Sequence, residues 1–140
     1  MRQSNITAYG LSFLLTMIPM IGLADEAKTL AAEKAAVNWL ALVDTNRYDA
    51  SWNEAATLFK RQVSSDDWRR AVSAARDPLG RVIERNLVSS TYATSLPGAP
   101  DGEYVVLQFK TKFERKTQAI ETVTPMIDAG QWRVSGYYVR

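Results

Sequence analysis

The apolar positions of the chain change period once. Between Asp25 and about Val43 they fall at Ala32, Ala36, Trp39, Leu40 and Val43, a spacing that places them on one face of a helix. The residues around them are mainly Ala, Leu, Glu and Lys, all good helix formers. Asp44-Thr-Asn-Arg-Tyr-Asp49 interrupts the pattern with turn-favouring side chains, and Ser51-Trp-Asn-Glu54 has the form of a capping box. A second helix is expected from there, faced by Trp52, Ala55, Ala56 and Phe59. Ser64 or Ser65, followed by Asp66 and Asp67, predicts the start of a third, with Trp68, Val72 and Ala75 on its apolar side. Asp77-Pro-Leu-Gly80 should end it, because proline disfavours helical geometry in the residue before it and glycine suits a helix C-terminus.

Beyond Gly80 the period shortens to two. A first strand is expected from about Arg85 to Leu96, with Arg81 to Glu84 compatible with either element. Val105, Leu107, Phe109, Thr111 and Phe113 alternate with Tyr104, Val106, Gln108, Lys110 and Lys112, the pattern of a strand with one buried face. A third strand runs near Gln118 to Asp128, and Asp128-Ala-Gly130 turns the chain into a last one from Gln131 to Arg140. Consecutive strands with short links predict an antiparallel meander, and the preceding helices must cover one of its faces. The fold class is therefore α+β: N-terminal helices on one face of a curved, roughly four-stranded antiparallel sheet. Pro125 cannot donate to a ladder, so its strand lies at an edge or is bulged there. Leu96-Pro-Gly-Ala-Pro-Asp-Gly102 reads as a stiff hairpin connection and a contact edge. Tyr137 and Tyr138 must point to opposite faces, one of them outward.

The N-terminus adds a compartment. Arg2, an apolar run from Gly10 to Ile21 interrupted by Pro19, and Gly22-Leu-Ala24 before Asp25 have the form of a secretory signal peptide over residues 1–24. Residues 25–140 then form a single domain, periplasmic or secreted, with no stable membrane insertion after cleavage; retention of the segment as an anchor is the alternative. The sequence has no cysteine, which excludes disulfides, thiolate chemistry and lipidation at a cysteine, so the fold rests on packing alone. The expected mature part carries a net charge of +1. Its modest basic excess at Lys60–Arg85 and Lys110–Lys116 lacks the continuous stripe that nucleic acid requires and reads as a solvated face.

There is no histidine either, which removes the commonest general base near neutral pH and, with the missing cysteines, the usual zinc ligands. Asp44, Asp49 and Glu54 gather near Arg47 and Tyr48, where a buried carboxylate would acquire a raised pKa and serve as a base. Each of them also has a local use as helix end, cap or capping-box partner, so no catalytic residue is assigned. Asp44, Asn46 and Asp49 lack the glycine and closing glutamate of a calcium loop, and neither metal nor cofactor is expected. Most of the aromatic residues must fill the core. If a ligand pocket exists, Trp39 and Trp52 on facing helices and Trp132 on the last strand are its expected lining.

Asn38-Trp-Leu-Ala-Leu-Val-Asp44, Arg47-Tyr48 with Ser51-Trp52, the segment Thr94 to Phe109, Glu121-Thr-Val-Thr124 and Gln131-Trp-Arg-Val-Ser-Gly-Tyr137 resemble an exported bacterial family, the domain of unknown function 4019. The resemblance covers nearly all of residues 25–140, and it implies no mechanism. The order of elements is also similar to the cone-shaped nuclear transport factor 2 and cystatin folds, whose pocket lies between sheet and helices. Such folds host both enzymes and binding proteins. The expectation is a small, non-enzymatic periplasmic domain that binds a protein partner or a small apolar ligand. The alternatives are a cone-fold enzyme with a carboxylate base and a self-associating structural protein, such as a homodimer joined at an open sheet edge.

Overall fold

The change of period at Gly80 divides the molecule into two layers. The computed structural model describes residues 21–140, so most of the expected leader lies outside the described residues. Four helices, α1 (Ile21–Asp44), α2 (Tyr48–Glu54), α3 (Thr57–Gln62) and α4 (Ser65–Arg76), lead through a 3₁₀ turn at Asp77–Leu79 into the strands. These are β1 (Val82–Ala93), β2 (Tyr104–Phe113), β3 (Lys116–Asp128) and β4 (Gln131–Val139). They lie in the order β1-β2-β3-β4 in one open antiparallel sheet, as the meander predicts. Helix α1 crosses all four strands. It presents Ala32, Ala36, Trp39, Leu40 and Val43, all buried, and its two small alanines let the backbone approach the sheet closely. Among the described residues no helix is long and apolar enough to cross a membrane.

The second expected helix is two helices. Ser51 is not a cap but a fully buried residue inside α2; its hydroxyl donates to the Tyr48 carbonyl at 2.6 Å and accepts the Trp68 indole N–H at 2.9 Å. Ala55 and Ala56 are extended rather than helical. Two tertiary bonds explain the break: the Ala56 N–H donates to the Val134 carbonyl of β4 at 2.8 Å, and Asp128 caps α3 by accepting the Thr57 N–H and hydroxyl at 2.7 and 2.9 Å. Ser64 does cap α4, accepting the Asp67 N–H. Trp68 and Val72 are buried as expected, but Ala75 is exposed and Arg76 takes the inward place one turn beyond Val72.

Gly80 ends the helical layer at φ 76, where an added Cβ would stand 3.0 Å from the Cβ of Glu114; glycine answers both constraints. Pro125 lies in the internal strand β3 and is bulged, with the β3–β4 register shifting between Thr124 and Pro125. The segment Thr94 to Gly102 folds back over the outer sheet face. Strand alternation puts Tyr104 opposite to the core residue Val105, yet Tyr104 is buried because this loop covers it, its hydroxyl donating to the Pro100 carbonyl at 2.6 Å. Tyr137 points inward and Tyr138 is half exposed.

Both sheet edges are blunted. Ile83 and Val88, the extra residues at the two register shifts of β1, project from one edge and are exposed. The α2–α3 link lies along the other. Bulges and covering segments of this kind discourage edge-to-edge pairing.

Candidate functional site

The inward phase of the sheet carries a buried cluster of four charges. Glu121 on β3 is fully buried. It accepts from Arg85 at 2.8 and 3.2 Å, from the Thr111 hydroxyl at 2.6 Å and from the Tyr137 hydroxyl at 2.6 Å. Asp44, at the end of α1, accepts from Arg85 at 2.7 and 3.0 Å and from Arg76 at 2.8 Å, and Arg76 also approaches Glu121 at 3.8 Å. Two carboxylates and two guanidiniums balance, and the polar side groups fill most of the remaining bonding capacity. Phe113 lies under the Arg76 guanidinium at 4.9 Å.

This arrangement holds Asp44 ionised. Burial by itself raises the Asp44 carboxyl pKa, but the hydrogen bonds and charge of Arg85, then Arg76, outweigh it and hold the group below the ordinary aspartate value. Burial lowers the pKa of Arg85, while Asp44 and Glu121 raise it further, so the guanidinium stays charged. Tyr137 is pushed up by burial and by the adjacent Glu121 and remains a donor. A depressed folded-state pKa contributes stability that is fully present above the unfolded value, about 3.9, and is lost as pH falls through the folded value. The stability difference between the native chain and Asp44→Asn is therefore largest near neutrality and shrinks below about pH 4. Urea titrations at a series of pH values in high salt, which screens the exposed pairs, check this; a difference independent of pH would contradict it.

The carboxylates expected near one another do not form one site. Asp49 faces α4 and pairs with Arg69 at 2.6 Å, Glu54 is exposed with Arg133 at 3.7 Å, and only Asp44 turns toward the sheet. Glu121, Arg85 and Arg76 were not anticipated as a cluster. Their signal lay in phase: Glu121 shares a strand face with Ala119 and Val123, and Arg85 with Leu87. Among the described residues no group of acidic side chains is placed to hold a metal ion.

A separate cleft of about 440 Å³ opens between α1, α2 and β4. Trp39 and Leu42 of α1 and Trp132 of β4 give it apolar walls, and Arg47, Glu54 and Arg133 stand at its polar rim. Trp39 and Trp132 are thus brought together, whereas Trp52 lies outside the lining, its indole donating to the Val63 carbonyl at 2.9 Å with Lys60 over its ring. The indole N–H groups of Trp39, Trp52 and Trp68 all have protein acceptors. Among the described residues, that of Trp132 has none.

No curated protein matches the chain. Residues 35–137, from the middle of α1 to the inward tyrosine of β4, match the model of the family described as Protein of unknown function (DUF4019), and they include the buried charge cluster and the whole lining of the cleft. The chain belongs to this family.

Proposed function

We propose that the protein is an exported, non-enzymatic binding module of the bacterial periplasm, and that the cleft between α1, α2 and β4 receives a small ligand. The observation that carries this reading is the state of Trp132. It is a large, partly buried aromatic residue that packs against the core and lines the cleft, and its indole N–H has no protein acceptor among the described residues, whereas the other three tryptophans are tied by hydrogen bonds within the fold. The volume falls within the range of small-molecule sites. The form of residues 1–24 supports export. The carboxylates offered by the enzyme alternative argue for the non-enzymatic reading: Asp44 is held ionised between two arginines, and Asp49 and Glu54 are exposed. The blunted sheet edges weigh against self-association through the sheet.

Native mass spectrometry of the protein isolated from the periplasm tests the reading. The expected result is a retained small molecule, lost from Trp132→Ala while the circular dichroism and melting behaviour stay close to those of the native chain. A periplasmic protein with no retained mass, and an unchanged spectrum for Trp132→Ala, would remove the support for the cleft.

A further inference from the structure

We infer that the cleft selects an anionic amphiphile, a carboxylate on an apolar body, with Arg47 as the charge partner. This rests on reading the cleft as a binding site and adds the chemistry of its ligand. The free charged group at the rim is a donor, and Asn38 adds an amide that can donate or accept. Arg47 makes no side-chain hydrogen bond or ion pair among the described residues, and the Trp132 indole N–H has no protein acceptor among them. The one carboxylate of the lining, by contrast, faces a guanidinium. The Gln131 side-chain oxygen accepts from Arg133 at 2.9 Å, and the Glu54 carboxylate lies 3.7 Å from Arg133, which also donates to the Glu54 carbonyl at 3.3 Å.

The charges of the lining are Arg47, Arg133 and Glu54, so pairing Arg133 with Glu54 leaves one positive charge unbalanced. The nearest sequence candidate to neutralise it, Asp49, is committed to Arg69 at 2.6 Å. A guanidinium presents a planar fork that matches a carboxylate, which an ammonium does not. Behind that fork, Leu42, Ala50 and Trp132 offer apolar surface, backed by the buried Trp39. A ligand with an anionic head and an apolar body satisfies both halves of the cleft. A neutral apolar ligand leaves the donors unused, and a cationic one meets Arg47 as a like charge.

Octanoate, octanol and octylammonium, titrated separately into the ¹⁵N-labelled protein, distinguish these cases, because the four tryptophan indole resonances report on position. Octanoate should shift the Trp132 and Trp39 signals and leave those of Trp52 and Trp68 in place. Octanol should bind at least about tenfold more weakly, the scale of a charge-assisted hydrogen bond, and octylammonium more weakly still. Arg47→Met should abolish the preference for octanoate while octanol binding persists, and Arg47→Glu should turn the preference toward octylammonium. Unmoved Trp52 and Trp68 signals verify that both variants keep the fold. Equal affinity for octanoate and octanol, or a preference insensitive to Arg47, overturns the charge selection and leaves the cleft standing. Failure of every probe to shift Trp132 overturns both.

Discussion

Glu121→Ala should cost about 3–5 kcal/mol, the usual scale for removing one partner from a buried ion pair. The carboxylate is fully buried and receives bonds from Arg85, Thr111 and Tyr137. Without it, two guanidiniums share the single carboxylate of Asp44, so a positive charge stays uncompensated in the interior. The Thr111 and Tyr137 hydroxyls also lose their acceptor, and the deleted side chain leaves a void. Domains of this size hold about 5–15 kcal/mol in all, so the variant sits near the threshold of folding. Urea denaturation should show a much lower midpoint with an unchanged slope. Glu121→Gln, which keeps the shape and one acceptor oxygen but removes the charge, should fall between the two. A loss below about 1 kcal/mol for Glu121→Ala would mean that water reaches the site and solvates the arginines. As a contrast, Arg69→Ala breaks an exposed pair with Asp49 and should change stability by no more than about 1 kcal/mol.

The same cluster marks the limit of what hydrophobic periodicity reveals. Alternation located the buried face of β2 residue by residue, because Val105, Leu107, Phe109 and Phe113 are apolar and Lys110 and Lys112 are not. Arg85 and Glu121 occupy the equivalent inward phase in β1 and β3, but a charged residue counts as outward until its partner is known. That partner is distant in sequence, and so is Arg76, whose inward turn displaced the expected Ala75. The break between α2 and α3 was hidden for a related reason. Alanine is the best helix former, so nothing in Ala55-Ala56 signals an extended link; the link is imposed by the Val134 carbonyl and the Asp128 cap. At the cleft, composition identified tryptophan as the wall, but only the docking of the α2–α3 link and α3 against β4 separates Trp132 from Trp52. Arg47 was visible beside the acidic residues, yet its lack of a partner is a property of the folded chain.

Trp68→Ala should also lower stability by about 3–5 kcal/mol, and its comparison with Trp132→Ala separates packing from binding. The Trp68 ring is buried between Phe59 at 4.9 Å, edge to face, Trp39 at 5.8 Å and Tyr137 at 6.3 Å. Its indole N–H donates to Ser51 at 2.9 Å, locking α4 to α2. Truncation therefore removes buried aromatic area and a buried hydrogen bond together. Trp68→Phe keeps most of the area and loses the bond, so about 1–2 kcal/mol is expected for it. Trp132, only partly buried against the core and without an indole partner, has less to lose, and Trp132→Ala should cost well under half as much as Trp68→Ala. Thermal and urea unfolding of the three variants measure the order. If Trp132→Ala destabilised as much as Trp68→Ala, Trp132 would be a core residue and its effect on any ligand would be a consequence of unfolding. With the expected order, loss of ligand from Trp132→Ala at nearly native stability can come only from the cleft.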